Sequence, residues 1–433
     1  MIAVDPPAFR PTRRAVLGGG AVLGGGAVLG GGAAMALASC ATASPAPLRL
    51  WAMSYEGDYS PLLMPAFTRA TGVSVEVQSL PWTAGHEKLL TAFAGDALPD
   101  VMMLPAGWVN EFATIGALAP VADAALVDDL FPGLRDAVRV GGRDFAVPWS
   151  VGPQAQFYRR DLLAAAGYAA PPLDWASWRA MGRALKRRRP DEWVFLMPLN
   201  WWDALFTFAG QTGARMLRDR NTRGDFDAPE FAAALGFYAS LYADRLAPPM
   251  LSTELQDPFA AFAQGRFAIY PRSPAMLLDL KRRAGELPRD RWGVARMAGP
   301  RGPAPGSGIS ATLALSARSS RANDGWALIR YMTDVPAELR FQRLIGSLPA
   351  RRAAWTAPQM QADVLAPFRA QMLQPAPGPA IPEWERIRIE VQLVAERLVR
   401  GDLTLAEAMR TMNVRADAIL AKRRELVDAG AIA

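Results

Sequence analysis

Tyr55, Glu56 and Asp58 stand close together, followed by Trp82 and then Trp108, and each group comes just after a short stretch patterned as a β-strand. An aromatic ring buries an apolar ligand face and orients it, while a carboxylate accepts hydrogen bonds from the ligand's polar groups. The chemistry on offer is binding without a covalent step. Catalytic alternatives are thin: His86 is the only histidine and Cys40 the only cysteine. A Ser-His-Asp triad would lack a nucleophile-elbow sequence, a zinc site would lack ligands, and no internal disulfide can form. His86 reads as a helix-face residue. Triple glycines recur in three Ala-Val-Leu-Gly-Gly-Gly units near the start, but no Gly-Lys-Ser/Thr follows to complete a phosphate cradle.

The elements that must position these residues alternate. Residues 48–53 read as a strand; Ser60 before Pro61 reads as a helix N-cap, with that helix running to Gly72. Residues 73–77 alternate with period two, 86–94 are helical up to Gly95, and 100–104 form an apolar run suited to a parallel strand covered on both faces. This βαβαβ opening predicts an α/β sheet, in which ligands bind at loops beyond the carboxyl ends of the strands. Those loops carry the residues named above. Phe67 and Phe93, by contrast, sit where core aromatics belong.

Residues 1–39 read as a signal peptide: basic residues, a long uncharged apolar run, then small residues. Thr12-Arg13-Arg14-Ala15-Val16-Leu17 resembles a twin-arginine signal. Leu37-Ala38-Ser39-Cys40 resembles a bacterial lipobox, which implies a lipid on Cys40 and a tether over 40–47. Removing the leader takes away Arg10, Arg13, Arg14 and Asp5, leaving 45 basic against 40 acidic residues, a net +5. Such a mild, scattered charge argues against nucleic acid as partner. The run Lys186-Arg187-Arg188-Arg189 reads as charge complementing a helix C-terminus. The 13 tryptophans are the unusual feature of the composition.

Further along, Val147-Pro148-Trp149, an extended stretch to Tyr158, Asp161-Leu162-Leu163, Pro171-Pro172 and Asp174-Trp175-Ala176-Ser177-Trp178 occur in that order. With Leu98-Pro99-Asp100-Val101, Phe262-Ala263-Gln264-Gly265-Arg266-Phe267 and Gly346-Ser347-Leu348-Pro349-Ala350-Arg351, they resemble the bacterial extracellular solute-binding proteins of the maltose-binding type. The resemblance extends over most of the chain after the leader. It implies a two-lobed α/β fold of the periplasmic-binding-protein type II class, with discontinuous lobes joined by hinge crossings. Lobe 1 is expected over 48–150 and 298–350, lobe 2 over 151–297 and 351–433, with crossings near 150–154, 293–298 and 350–354. It also implies a monomeric, non-enzymatic receptor without cofactor or metal, outside the cytoplasm and held to the membrane by lipid, that serves the permease subunits of an ABC importer.

Site residues follow from the same resemblance. The loop Leu199-Asn200-Trp201-Trp202-Asp203 is where the family contacts ligand, and because neighbours on a strand point oppositely only one of the two tryptophans should face it; Trp202 is taken. Tyr270 and Arg272 end another strand, and Trp149 stands at the first crossing. Trp384, in Ile381-Pro382-Glu383-Trp384, matches a late segment whose tryptophan stacks on sugar. Ala275 and Met276 depart from the family's stacking aromatic, which argues against a maltose-like ligand. Trp175 and Trp178 share one helix face and are assigned to the core.

A carbohydrate suits rings paired with polar groups, since its C–H faces stack and its hydroxyls bond. A glycerol phosphate would want converging arginines and a polyamine converging carboxylates, and neither concentrates at these loops. A secreted glycoside hydrolase would need two opposed carboxylates about 5 to 10 Å apart; Glu56, Asp58, Asp203 and Glu383 are its candidates.

Overall fold

Two sheets, each fed by its own apolar pattern, carry the chain. The computed structural model describes residues 46–131, 133–201, 203–306, 308–372 and 378–432. Cys40, with the whole leader, and Trp202 lie outside the described residues. In chain order the strands are β1 (Leu48–Met53), β2 (Val75–Leu80), β3 (Val101–Pro105), β4 (Arg139–Val140), β5 (Arg143–Asp144), β6 (Val147–Pro153) and β7 (Ala155–Arg159). They continue with β8 (Trp193–Phe195), β9 (Leu217–Arg218), β10 (Arg223–Gly224), β11 (Phe267–Arg272), β12 (Trp292–Ala295), β13 (Gly308–Leu315) and β14 (Leu348–Pro349). The first sheet has the order β14-β6-β13-β3-β1-β2 and the second β12-β7-β11-β8; β4-β5 and β9-β10 are small ribbons.

Burial explains each placement. β3 lies inside the first sheet and buries Val101, Met102, Met103 and Leu104 in succession, as a strand covered on both faces does. β2, at the edge, alternates and leaves Glu76 and Ser79 to solvent. β1 pairs in parallel with both, Leu50 standing opposite Val77 and Val101. In the second sheet β7 runs antiparallel to β11 and β12, while β8 and β11 are parallel. Helix Trp175–Arg188 covers it, capped by Asp174, whose carboxylate accepts the Ser177 N–H at 2.8 Å. Trp175 stacks on Phe237 and Trp178 on Phe195, so both tryptophans are core, and the last turn holds Lys186, Arg187 and Arg188. The tail helices Trp384–Arg400 and Leu405–Ile419 are joined at a Thr404–Glu407 capping box.

Local details differ from the sequence reading in two places. Ser60 does not cap a helix: residues Ser54–Tyr59 are already helical, and the buried Ser60 hydroxyl donates back to the Glu56 carbonyl. The helix ending at Gly72 starts at Met64, and Gly72 closes it with φ +74°. Trp82 and Trp108 likewise sit not in loops but in the first turns of helices Trp82–Ala94 and Ala106–Thr114, because each helix begins as soon as its strand ends.

Gln154 joins β6 of the first sheet to β7 of the second, and the chain returns from β12 of the second sheet to β13 of the first. Near the third crossing expected at 350–354, Arg351 bridges to Leu130, the Ala353 N–H donates to Asp129 at 2.9 Å, and Trp355 packs edge-on against Phe131. Residues 351–355 thus pack on the segment 129–131 beside the first sheet, held by contacts that a hinge composition alone does not reveal. In helix Ala366–Met372, buried Gln371 donates to the Gln154 carbonyl at 2.6 Å.

Candidate functional site

The carboxyl ends of β1 and β11 bring two groups face to face. Helix Ser54–Tyr59 follows β1 at once, and its tight start needs Gly57, where a Cβ would lie 2.5 Å from the Ala52 carbonyl oxygen. That turn presents Tyr55. From the second lobe, helix Met276–Arg282 follows β11 and presents Asp279. The Tyr55 hydroxyl donates to both Asp279 carboxylate oxygens, at 3.3 and 3.4 Å. Burial, and then the neighbouring Asp279 charge, push the Tyr55 pKa up to about 12. Burial also raises Asp279 above the usual carboxylate range, against the pull of Tyr55 and the Arg272 charge.

Beside this pair, Tyr59 packs edge-on to Tyr55 and carries the Arg282 guanidinium 5.2 Å from its ring centre. Glu56 is half-buried and accepts from the Ser347 hydroxyl at 3.3 Å. Desolvation raises its pKa to about 7, although hydrogen bonds from Ser347 and Ser150 favour the ionised form. Asp58 is exposed.

On the second lobe, Trp201 is half-buried and lies nearly parallel to Tyr270, centroids 6.1 Å apart and planes at 13°. Arg272 covers both rings, 5.4 Å from Trp201 and 5.7 Å from Tyr270. Tyr270 itself is buried, so Trp201 and Arg272 form the accessible part of this shelf. The shelf, Asp279 and Tyr55 are near enough that Arg272 and Tyr270 influence the Tyr55 hydroxyl.

The remaining expected residues fall elsewhere. Trp82 is half-buried against the first-lobe core. Trp108 is buried, edge-on to His86 at 4.8 Å, and His86 bonds Glu111 at 2.7 Å. Burial would lower the His86 pKa, but the Glu111 bond and charge outweigh it and hold the imidazole above its ordinary value. Trp149 is 1% exposed and stacks on Phe341, centroids 4.4 Å apart, inside the first lobe. Trp384 is buried with Ile381 and Ile387, edge-on to Phe206. Both were expected at the ligand; both are core, because strand and helix periodicity turned them inward. Among the hydrolase candidates, Glu383 pairs with Arg423 at 3.6 Å, away from Glu56's partners.

Sequence reading missed Asp279, Arg282, Ser347 and Trp201. Ser347 lies within the Gly346-to-Arg351 turn that carried part of the resemblance, and Asp279 stands one helical turn beyond Ala275, where the family's aromatic is missing. Trp201 was the rejected half of a tryptophan pair. Among the described residues, no cluster of three or more His, Cys, Asp or Glu side chains is placed to hold a metal ion, and no helix is long and apolar enough to cross a membrane.

A family model described as bacterial extracellular solute-binding protein matches residues 54–338. A mannitol-binding protein of Pseudomonas aeruginosa is 31% identical over 173 residues, 38% of this chain and 37% of that protein. The diacetylchitobiose binding protein DasA of Streptomyces coelicolor is 23% identical over 224 residues, 51% of this chain and 53% of that protein. The chain thus spans a third to a half of these relatives' lengths. The sugar-binding protein MalE from the phytopathogen Xanthomonas citri superposes with a TM-score of 0.79 at 37% identity, covering 88% of this chain and 99% of that one.

Proposed function

We infer a receptor function from one premise: this chain belongs to the bacterial extracellular solute-binding proteins. It captures a small carbohydrate or polyol between its two lobes and hands it, chemically unchanged, to the permease subunits of an ABC importer. The observation that carries this reading is the Trp201–Tyr270–Arg272 shelf on one lobe beside Tyr55 from the other, whose hydroxyl bonds Asp279. Trp201 offers a ring for the C–H face of a sugar, while Asp279 and Arg272 offer polar partners for hydroxyls. Ligand that touches both lobes binds the closed form better than the open one and so drives closure. Micromolar affinity requires about 8 kcal/mol, within reach of one ring stack and several hydrogen bonds. Arg272 and Asp279 sit together, which suits a neutral ligand better than a phosphate or a polycation.

The receptor is tethered by lipid on Cys40 after twin-arginine export through Arg13 and Arg14. Palmitate labelling that survives Cys40→Ala would overturn the tether, and export that survives lysine at both arginines would overturn the route. For the binding function, a thermal-shift screen over sugars, polyols, sugar phosphates and polyamines should raise the melting temperature with a sugar or polyol recovered intact. Cleavage products, or a response to phosphates or polyamines alone, would overturn it.

A further inference from the structure

The far end of helix Asp203–Thr212 meets a cavity whose chemistry is opposite to that of the ring shelf. Trp201 stands just before the first residue of this helix, and the cavity, of about 600 Å³, takes in Gly213 just after its last, so roughly 15 Å of helix separates the two. Small-molecule sites usually enclose about 300 to 1,000 Å³. None of the described residues lining this one is aromatic, so the C–H face of a sugar would find no ring. Arg215, Arg218 and Arg220 line it instead, against the single carboxylate of Asp219. Arg218 stands 3.9 Å from Asp225, and Asp219 is itself engaged by Arg223 at 3.9 Å. Arg215 and Arg220 are exposed and have no ion pair or hydrogen bond among the described residues.

Complementing the helix C-terminus does not account for these cations. That end is capped from within: the Gly213 N–H donates to the Gly210 carbonyl at 3.2 Å, while the Ala214 N–H and the Thr212 hydroxyl donate to the Ala209 carbonyl at 3.0 and 2.8 Å. The turn that carries Arg220 adds a second feature. Asp219, Arg220 and Asn221 follow one another in the left-handed region, at φ +53°, +58° and +59°, a run that L-residues avoid. The Thr222 N–H closes the turn on the Arg218 carbonyl at 3.1 Å, and the three N–H groups inside it donate to no partner among the described residues. Successive unpaired N–H groups in a turn favour an anion beside them. The rest of the wall is held in place, since Gln211 donates to the Pro305 carbonyl at 2.7 Å and accepts from the Trp175 indole at 3.0 Å.

We propose that this cavity is a second binding site, for a small oxyanion carrying two or more negative charges. Guanidinium forks bond the paired oxygens of carboxylates and phosphates, and three of them facing one carboxylate leave an excess of two positive charges. The site is independent of the carbohydrate reading, because none of Tyr55, Trp201, Tyr270 and Arg272 lines it.

Calorimetric titration of the full chain with citrate and with pyrophosphate, at ionic strength held constant with sodium chloride, tests this. At least one of the two should bind one-to-one with a Kd below about 1 mM. Arg215→Gln combined with Arg220→Gln should weaken that binding at least tenfold, while Trp201→Ala should leave it within twofold of the parent. Both arginines are exposed, so the double variant should fold, and its melting curve verifies this. Its affinity for the sugar or polyol found by thermal shift should be unchanged. No saturable binding of either anion, or binding that the folded double variant retains, overturns the site. Anion binding that disappears in Trp201→Ala would belong to the ring shelf and overturns it equally. Anion binding as expected in a chain that binds no sugar or polyol overturns the carbohydrate reading and leaves this site standing.

Discussion

Trp201 and Tyr270 face one another with ring centroids 6.1 Å apart and planes only 13° from parallel, and Arg272 lies over both. The buried tyrosine thus fixes the orientation of the accessible indole. Trp201→Ala is expected to weaken carbohydrate binding by about 1 to 3 kcal/mol, roughly 5- to 150-fold. The fold should survive, since Trp201 is half-buried at the margin of the core. Calorimetry with the ligand found by thermal shift checks this; affinity unchanged within twofold would remove the shelf from the site.

Glu56 makes stability depend on pH. Its ordinary value is 4.5 and burial raises it to about 7 in the fold, so between those values the folded chain holds a proton that the unfolded chain has released. The contribution is fully present below about pH 4.5 and is lost as the pH rises to about 7. Glu56→Gln, which cannot ionise, should therefore gain stability relative to the parent between pH 5 and pH 8. Urea unfolding at the two pH values measures the difference; a gain in the opposite direction would contradict the burial argument.

Trp384 separates packing from binding. Its indole fills the second-lobe core against Phe206, and Trp384→Ala should cost about 3 to 5 kcal/mol of stability by leaving a cavity. Ligand affinity of the variant that remains folded should stay within about threefold of the parent, a shift under about 0.7 kcal/mol. A large loss of affinity with little loss of stability would return Trp384 to the cleft.

Gly306 marks the crossing where backbones approach most closely. A Cβ there would stand 2.3 Å from the Gln154 carbonyl oxygen and 2.9 Å from the Gln371 amide nitrogen. Gly306→Ala is expected to destabilise by about 1 to 3 kcal/mol, because the added methyl overpacks a backbone contact that has no room for it. Gly302→Ala, whose Cβ would have nothing within 4 Å, should change stability by no more than about 0.5 kcal/mol. Thermal melts of the two variants side by side give the comparison.

Much of the architecture was legible in the chain itself. The apolar run Val101 to Leu104 specified a covered strand, Gly72 and Gly95 marked helix ends, and the order of short motifs pointed to the two-lobed class. Local periodicity and capping act over a few residues, so they can be read without knowing what lies across the molecule. The type of chemistry was legible for the same reason: rings and carboxylates placed after strands are a local pattern.

Which of those groups meet was decided only by tertiary structure. Asp279 and Tyr55 are 224 residues apart, and no local pattern links them; they are joined by the closure of one lobe on the other. Trp149 and Trp384 have the residue type of a ligand contact, yet strand alternation and the first turn of a helix send them into the core, where burying an indole is more favourable than exposing it. Trp201 was ambiguous because two tryptophans are adjacent in the sequence, and only its stacking on Tyr270, from a distant strand, places it at the shelf. The sequence by itself determined the elements and the kind of ligand chemistry they present, since both follow from short-range sterics and side-chain type. Folding of distant segments onto one another decided the site, since desolvation and hydrogen bonding across a cleft exist only once both lobes are in place.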